Sequence, residues 1–437
     1  MKRQILILGA GLVAGSMIKY FLKNKISITV ADLDTTKAVK IIGENAYGQA
    51  VTLDVNNQEK LSELITDHQL IVSLLPYTLH VNVARLCLRL RKMLVTTSYI
   101  SQEMAALDSD VKEADLIFLN ECGLDPGIDH MSVMQLRDQL IEKGNRINEV
   151  YSYCGALPAP ESANNPFKYK FSWSPKGVLL AGNNDARFKK DNVIKEIKTE
   201  SLFSHPETIE FDQIGTLEVY PNRDSITYLD TYNLQTCHTL IRGTFRYPGW
   251  CDIMDTFKQL NLTQTTPLKP GKTRLSAILA FCTGVDESTD LKHHIQTKIG
   301  GNKSNLVIEA LEYLGLFSDR IKAIKSESPL DILAELMINK MMLSSHERDL
   351  VVMQHTFKVT SPELKEKTIV SRLIAYGDPD NDTAIARTVA LPAAIAAKLI
   401  LEKKITLTGV IRPINPELYN PILSELEREG IYLKESY

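Results

Sequence analysis

Gly9, Gly11 and Ala14 stand as GxGxxA directly after the apolar run Gln4–Leu8, and a helix-like segment from Leu12 to Lys23 comes next. In a strand–turn–helix setting these residue types let a backbone close on a pyrophosphate. Gly9 permits the tight turn and Gly11 leaves room for phosphate, while Ala14 lets the helix pack near the strand with its N-terminal amides facing the anion. A second strand, Ser27–Ala31, leads to Asp32. A carboxylate there accepts hydrogen bonds from a ribose 2′-hydroxyl and repels a 2′-phosphate. Asp34 adds negative charge against Lys37 alone, so the sequence predicts NAD as the preferred cofactor, with NADP the alternative.

A second constellation offers proton transfer. Asp125 lies in Gly123-Leu-Asp-Pro-Gly127, a sharp turn in which partial burial would raise a carboxyl pKa. Tyr99 ends the strand that starts at Met93, and Cys154 ends the strand beginning at Val150. Each has a plain alternative: Asp125 as a helix cap, Tyr99 as packing, Cys154 as a small buried hydrophobe. A third set is cationic. Arg223, Arg242 and Arg246 sit close to loop ends; each singly reads as a surface charge, while as a set they suit paired hydrogen bonds to a substrate carrying several carboxylates.

The elements that must position these groups follow from hydrophobic patterning. Ala50–Leu53 ends in Asp54, Leu70–Leu75 in Pro76, Met93–Val95 in Thr96-Thr97-Ser98-Tyr99, and Leu116–Leu119 in the Asp125 turn. Helical stretches such as Gln58–Asp67 and Val81–Leu90 lie between them. Six strands with polar carboxyl ends read as an N-terminal Rossmann domain, an α/β doubly wound parallel sheet with its ligands along that edge. From Asn148 longer strands and loops rich in Pro, Asn and aromatics suggest a second, α+β domain, with the Asp125 stretch at the junction where ligands commonly bind. Residues 256–345 pattern as helices, as in Leu306–Leu314 and Leu330–Met337. Adjacent His293 and His294 face different ways on a helix, and no metal site is expected. Ala384–Leu401 is a long alanine-rich helical stretch that Pro392 would kink or divide, and Gly409 and Pro413 mark a loop after it.

Composition narrows the class. In 437 residues, 44% are hydrophobic and 24% charged, as in soluble globular proteins of two or three domains. A net charge of −3 gives no electrostatic argument for nucleic acid or an anionic membrane. Six scattered cysteines without a CxxC pair suit reduced thiols. Met1 leads straight toward a strand, which leaves no room for a signal peptide, and no apolar run is expected to span a bilayer. The expected setting is the cytoplasm.

Five motifs carry a resemblance: Gly123-Leu-Asp-Pro-Gly-Ile-Asp-His130, Ser152-Tyr-Cys-Gly-Ala-Leu-Pro-Ala-Pro160, Tyr169-Lys-Phe-Ser-Trp-Ser174, Tyr220-Pro-Asn-Arg-Asp-Ser225 and Ile241-Arg-Gly-Thr244. Together they resemble saccharopine reductase, the L-glutamate-forming saccharopine dehydrogenase of the 2-aminoadipate lysine pathway. The resemblance runs nearly end to end and is densest from Gly123 to Tyr247. It implies reductive condensation of L-2-aminoadipate 6-semialdehyde with L-glutamate by NAD(P)H, giving saccharopine. It also implies a homodimer, a small helical insert at 256–345, and a C-terminal part that folds back on the nucleotide domain. The expected domains are then 1–124 with about 393–437, 125–255 with about 346–392, and 256–345.

In that frame Asp125, Tyr99 and Cys154 are the expected catalytic residues. Gly9, Gly11, Leu12, Val13, Ala14, Asp32, Asp54, Val55, Leu75 and Thr97 are the expected cofactor contacts. Ser98, Tyr99, Asp125, Lys170, Arg223, Arg242, Thr244 and Arg246 are the expected substrate contacts. One departure stands out: NADP-using fungal members carry an arginine just beyond the second strand, where this chain reads Asp32-Leu33-Asp34. The alternatives to this reading are a carboxynorspermidine-type imine-reducing dehydrogenase and a catalytically silent dinucleotide-binding regulator.

Overall fold

The computed structural model describes residues 4–173, 175–301 and 303–436. Its chain forms two compact units, Met1–Ile147 with Thr360–Tyr437, and Asn148–Val359. The first boundary falls some twenty residues later than the sequence suggested, because the helix Ile128–Glu142 packs against Pro416–Arg428 of the nucleotide-binding unit.

The first unit is built on strands β1 (Ile5–Leu8), β2 (Ile28–Asp32), β3 (Gly48–Thr52), β4 (Leu70–Ser73), β5 (Met93–Thr96) and β6 (Ile117–Leu119). They pair in parallel in the order β6-β5-β4-β1-β2-β3. A seventh strand, Gly409–Ile411, adds in parallel outside β6. Its three residues had read as loop. Helices α1 (Ala14–Lys23), α2 (Thr36–Ile42), α3 (Gln58–Thr66) and α4 (His80–Arg89) make the first crossovers. β1 and β4 are buried on both faces, which explains their unbroken apolar runs. Leu6, Leu8, Ile71, Leu94 and Phe118 pack with Leu61 and Ile65 of α3 and Val83, Ala84 and Cys87 of α4. Truncating one such leucine to alanine costs about 3 kcal/mol.

The helix Ala384–Leu401 packs against α1, β4 and β5. It runs through Pro392 without dividing. Its length and a mean hydropathy of 1.7 make it long and apolar enough to cross a membrane, contrary to the reading that no run was, yet 78% of it is buried inside the protein. Lys398 at its end pairs with Glu425 at 2.6 Å, and Tyr20 of α1 donates to the same carboxylate.

The second unit holds a mixed sheet. The strand Thr239–Arg246 runs parallel to Arg146–Pro158 on one side and antiparallel to Gly215–Pro221 on the other, and Glu207–Phe211 continues beyond it. Region 256–345 belongs to this unit and is not wholly helical: Gly271–Arg274 and Ile321–Ile324 form an antiparallel ribbon. Four of its exposed residues are Lys272, Arg274, Ile321 and Ala323, a mixture without the alternation that betrays a strand.

Candidate active site

The glycine-rich turn has the shape a dinucleotide needs. Gly9 takes φ +105°, and a Cβ there would stand 3.1 Å from the Leu74 carbonyl oxygen. In front of Gly11, by contrast, no atom of the described residues beyond its chain neighbours lies within 4 Å of where a Cβ would be, so the space beside the turn is open. Val13 precedes α1 without a side-chain cap, leaving the first-turn amides for an anion. The Asp32 carboxylate accepts from the Ala10 N–H at 2.6 Å and the Asp34 N–H at 3.0 Å. Lys37 donates to the Gly11 carbonyl at 2.9 Å, and partial burial holds its pKa below the ordinary lysine value.

Of the remaining expected cofactor contacts, Leu12 is exposed beside the turn, Val13, Val55, Leu75 and Thr97 are half-buried, and Ala14 is buried. Asp54 is exposed and engaged in its own turn, accepting from the Asn56 N–H at 2.9 Å.

Tyr99 and Asp125 come together. The Tyr99 phenol donates to Asp125 Oδ1 at 2.9 Å, across 26 positions of sequence. The turn that carries Asp125 is closed by the Gly123 N–H on the Pro126 carbonyl and the Ile128 N–H on the Gly123 carbonyl, both at 2.9 Å. Its Asp125–Pro126 peptide is cis, and Gly127 has φ +148°. A Cβ on Gly127 would fall 2.0 Å from the Gly123 carbonyl oxygen, so only glycine fits. Asp129 Oδ1 accepts from the Gly127 N–H at 2.6 Å and fixes the turn from below.

Sequence reading missed the groups that hold Tyr99. Glu121, just past β6, is buried and accepts from the Ile100 N–H at 3.0 Å, from His130 Nε2 at 2.8 Å and from Arg412 at 3.3 Å. Burial opposes its charge, but these bonds prevail and hold its pKa below the ordinary glutamate value. The Glu121 N–H also donates to the Ser98 carbonyl at 3.0 Å, tying the end of β6 to the segment after β5. An acidic residue directly after a buried strand, nine positions before a histidine, was the available signal.

In the second unit, Cys154, Arg242, Thr244 and Arg246 share one sheet face. Thr244 pairs with Cys154, Arg242 with Ser152, and Tyr220 with Thr244 in register. Arg242 is buried with its guanidinium 4.2 Å from the Tyr228 ring centre. Arg246 is 4% exposed and lies over the rings of Tyr169, Trp250 and Tyr220 at 5.1, 5.4 and 5.9 Å. One of its amino groups donates to the Phe245 carbonyl, its Nε has no hydrogen-bond partner, and no carboxylate pairs with it among the described residues. A buried guanidinium so placed has the chemistry to receive an anion.

Two expected substrate contacts fare differently. The Lys170 ammonium is already paired with Glu347, so it is not a spare cation. Arg223 is exposed, in a left-handed backbone conformation at φ +52°. Ser174, the last residue of its motif, lies outside the described residues, as does Met1.

The parallel sheet order and the open glycine turn define a dinucleotide-binding protein of the Rossmann class. Residues 5–119 match the family model "Saccharopine dehydrogenase NADP binding domain" and residues 123–431 match "Saccharopine dehydrogenase C-terminal domain". The alpha-aminoadipic semialdehyde synthase of Mus musculus is 37% identical over 98% of this chain, which spans about half, 47%, of that protein. The saccharopine dehydrogenase [NADP(+), L-glutamate-forming] of Schizosaccharomyces pombe is 34% identical over 99% of this chain and 98% of its own length. The solved apo saccharopine dehydrogenase (L-Glu forming) of Saccharomyces cerevisiae superposes with a TM-score of 0.91 at 33% identity, covering 99% of both chains. The chain belongs to the saccharopine dehydrogenase family. A preference for NAD, as read from Asp32, finds no support in these matches, two of which name NADP.

Proposed function

We propose that the protein interconverts L-saccharopine with L-glutamate and L-2-aminoadipate 6-semialdehyde, oxidising or forming the C–N bond with a nicotinamide dinucleotide. The end-to-end likeness to an L-glutamate-forming saccharopine dehydrogenase carries this reading. In the oxidative direction saccharopine, water and the oxidised dinucleotide give glutamate, the semialdehyde, the reduced dinucleotide and a proton. The bound nicotinamide exchanges the hydride with the carbon of the C–N bond.

The chain's own residues handle protons and charge. Asp125, steadied by the Tyr99 phenol, takes the proton from the secondary amine and releases it to solvent, then takes one from the water that adds to the imine and returns it to the departing glutamate nitrogen. Tyr99 keeps the carboxylate aimed by donating to one of its oxygens. Cys154 lines the sheet face beside Thr244 and is assigned to positioning the substrate. Arg246, with Arg242 and Thr244 on the same face, is assigned to the substrate carboxylates, with Ser98 and Arg223 as further contacts. Saccharopine carries three carboxylates, which suits this set.

The finer choice of dinucleotide has support on both sides. Asp32 favours an unphosphorylated ribose. The names of the relatives favour NADP, and Lys37, 2.9 Å from the Gly11 carbonyl, is a cation within the turn that a 2′-phosphate would use. Following absorbance of reduced nicotinamide with L-saccharopine, and NAD or NADP in parallel, tests both levels at once. Turnover with either supports the reaction, and the faster cofactor decides the preference. No turnover with either, by protein that binds dinucleotide, would overturn the reaction in favour of a polyamine-type imine reductase or a silent regulator.

A further inference from the structure

A file of polar side chains runs from the core of the first unit to its carboxyl edge. Ser73, the last residue of β4, is wholly buried, and its hydroxyl lies 2.9 Å from His80 Nδ1. His80 is the first residue of α4 and is 4% exposed. Its other nitrogen, Nε2, stands 2.8 Å from the Ser98 hydroxyl and 3.2 Å from that of Thr96. Ser98 is half-buried, so the file opens at the edge where the strand ends collect ligands. A buried neutral imidazole needs a partner at each nitrogen, one accepting and one donating. This one is held by hydroxyls at both nitrogens, and the outermost hydroxyl belongs to an expected substrate contact.

The two tautomers of the ring would present different faces of the Ser98 hydroxyl to a ligand. Burial pushes the His80 pKa down to about 4, so near neutrality the ring is uncharged and carries a single N–H. If that hydrogen were on Nδ1, the Ser98 hydroxyl would donate inward to Nε2 and present only lone pairs outward, which repel a carboxylate. If it is on Nε2, Ser98 accepts from the ring and its own O–H is released outward, while Ser73 donates to Nδ1. Thr96 is compatible with the second arrangement: its hydroxyl oxygen accepts from the Ser98 N–H at 3.4 Å and keeps a second lone pair for Nε2.

We propose that His80 is a positioning residue that fixes the Ser98 hydroxyl as an outward hydrogen-bond donor to one carboxylate of the amino-acid substrate. The proposal rests on the reaction given above. It concerns binding of substrate, leaving hydride transfer and dinucleotide affinity to other residues.

The test is a double-mutant cycle read by steady-state kinetics with L-saccharopine, with dinucleotide affinity and thermal midpoint measured on each variant. His80→Ala raises KM about tenfold with kcat within about twofold, the effect of one charge-assisted hydrogen bond. Added to Ser98→Ala, the same change has no further effect, because its partner is gone. The amide nitrogen of Gln reaches the Nε2 position and that of Asn the Nδ1 position, so His80→Gln restores KM and His80→Asn does not. Should His80→Ala fail to fold, the Gln and Asn variants complete the comparison. Effects of His80 and Ser98 that multiply, a fall in kcat at constant KM, or rescue by Asn in place of Gln would each overturn the proposal while leaving the reaction intact. Wild-type protein inactive on saccharopine would remove the reaction and the proposal with it.

Discussion

Asp125 and Arg246 are asked for opposite things, and single substitutions separate them. Asp125→Asn keeps the size and a hydrogen-bond acceptor for Tyr99 but loses the base. It lowers kcat about 100-fold to 1,000-fold with little change in thermal midpoint, measured by initial rates and calorimetry. Tyr99→Phe leaves the base and removes its steadying bond, so its loss is smaller, about tenfold. Arg246→Met exchanges a buried cation without a carboxylate partner for an apolar side chain of similar length. We expect KM for saccharopine to rise more than tenfold while the thermal midpoint holds or rises, since an unpaired buried charge costs folding free energy. At this scale Asp125 was legible because glycine and proline write a turn locally. His80 and Glu121 were not, because the bonds that give them meaning run to Ser98 and Ile100, 18 and 21 positions away.

Strands and helices were legible wherever burial was one-sided or complete over several residues. β1, β2 and β4, the helices α3 and α4, and the long helix Ala384–Leu401 all announce themselves by apolar runs or helical spacing. The strand Gly409–Ile411 does not, since three residues beginning with glycine carry no period, and its pairing with β6 is decided 292 positions away at Ile117. Its place also depends on a close approach: Gly409 has φ +105°, a Cβ there would meet Asp108 Oδ1 at 2.6 Å, and that carboxylate accepts from the Val410 N–H at 2.8 Å. The tightest element is the Asp125 turn. Gly127→Ala forces a Cβ onto the Gly123 carbonyl, and we expect either failure to fold or a loss above about 3 kcal/mol in denaturant unfolding, together with loss of turnover.

For the whole molecule, the glycine turn and Asp125 lie in one compact unit and the buried Arg242 and Arg246 in the other. The net charge of −3 gave no electrostatic argument for nucleic acid or an anionic membrane, and composition alone did not reveal that the helix Ala384–Leu401, long and apolar enough to cross a bilayer, serves as core. Folding stability carries a signature of His80. Its pKa of about 4 in the fold lies below the ordinary 6.5 of the unfolded chain. The unfolded state therefore takes up a proton first as pH falls, and stability is lost between pH 6.5 and about 4, by about 3 kcal/mol from this group. Above pH 6.5 both states are neutral there and the contribution is constant. Urea unfolding of wild type and His80→Gln across that window should differ in slope by this one proton.

The most direct measurement of the central claim is the change in absorbance of reduced nicotinamide when purified protein meets L-saccharopine and an oxidised dinucleotide, with wild type and Asp125→Asn side by side. The account predicts steady reduction by wild type, accompanied by formation of L-glutamate, and at least a 100-fold slower rate for the variant with its dinucleotide affinity unchanged. Equal rates for the two proteins would contradict the role of Asp125, and no reduction by either would contradict the reaction itself.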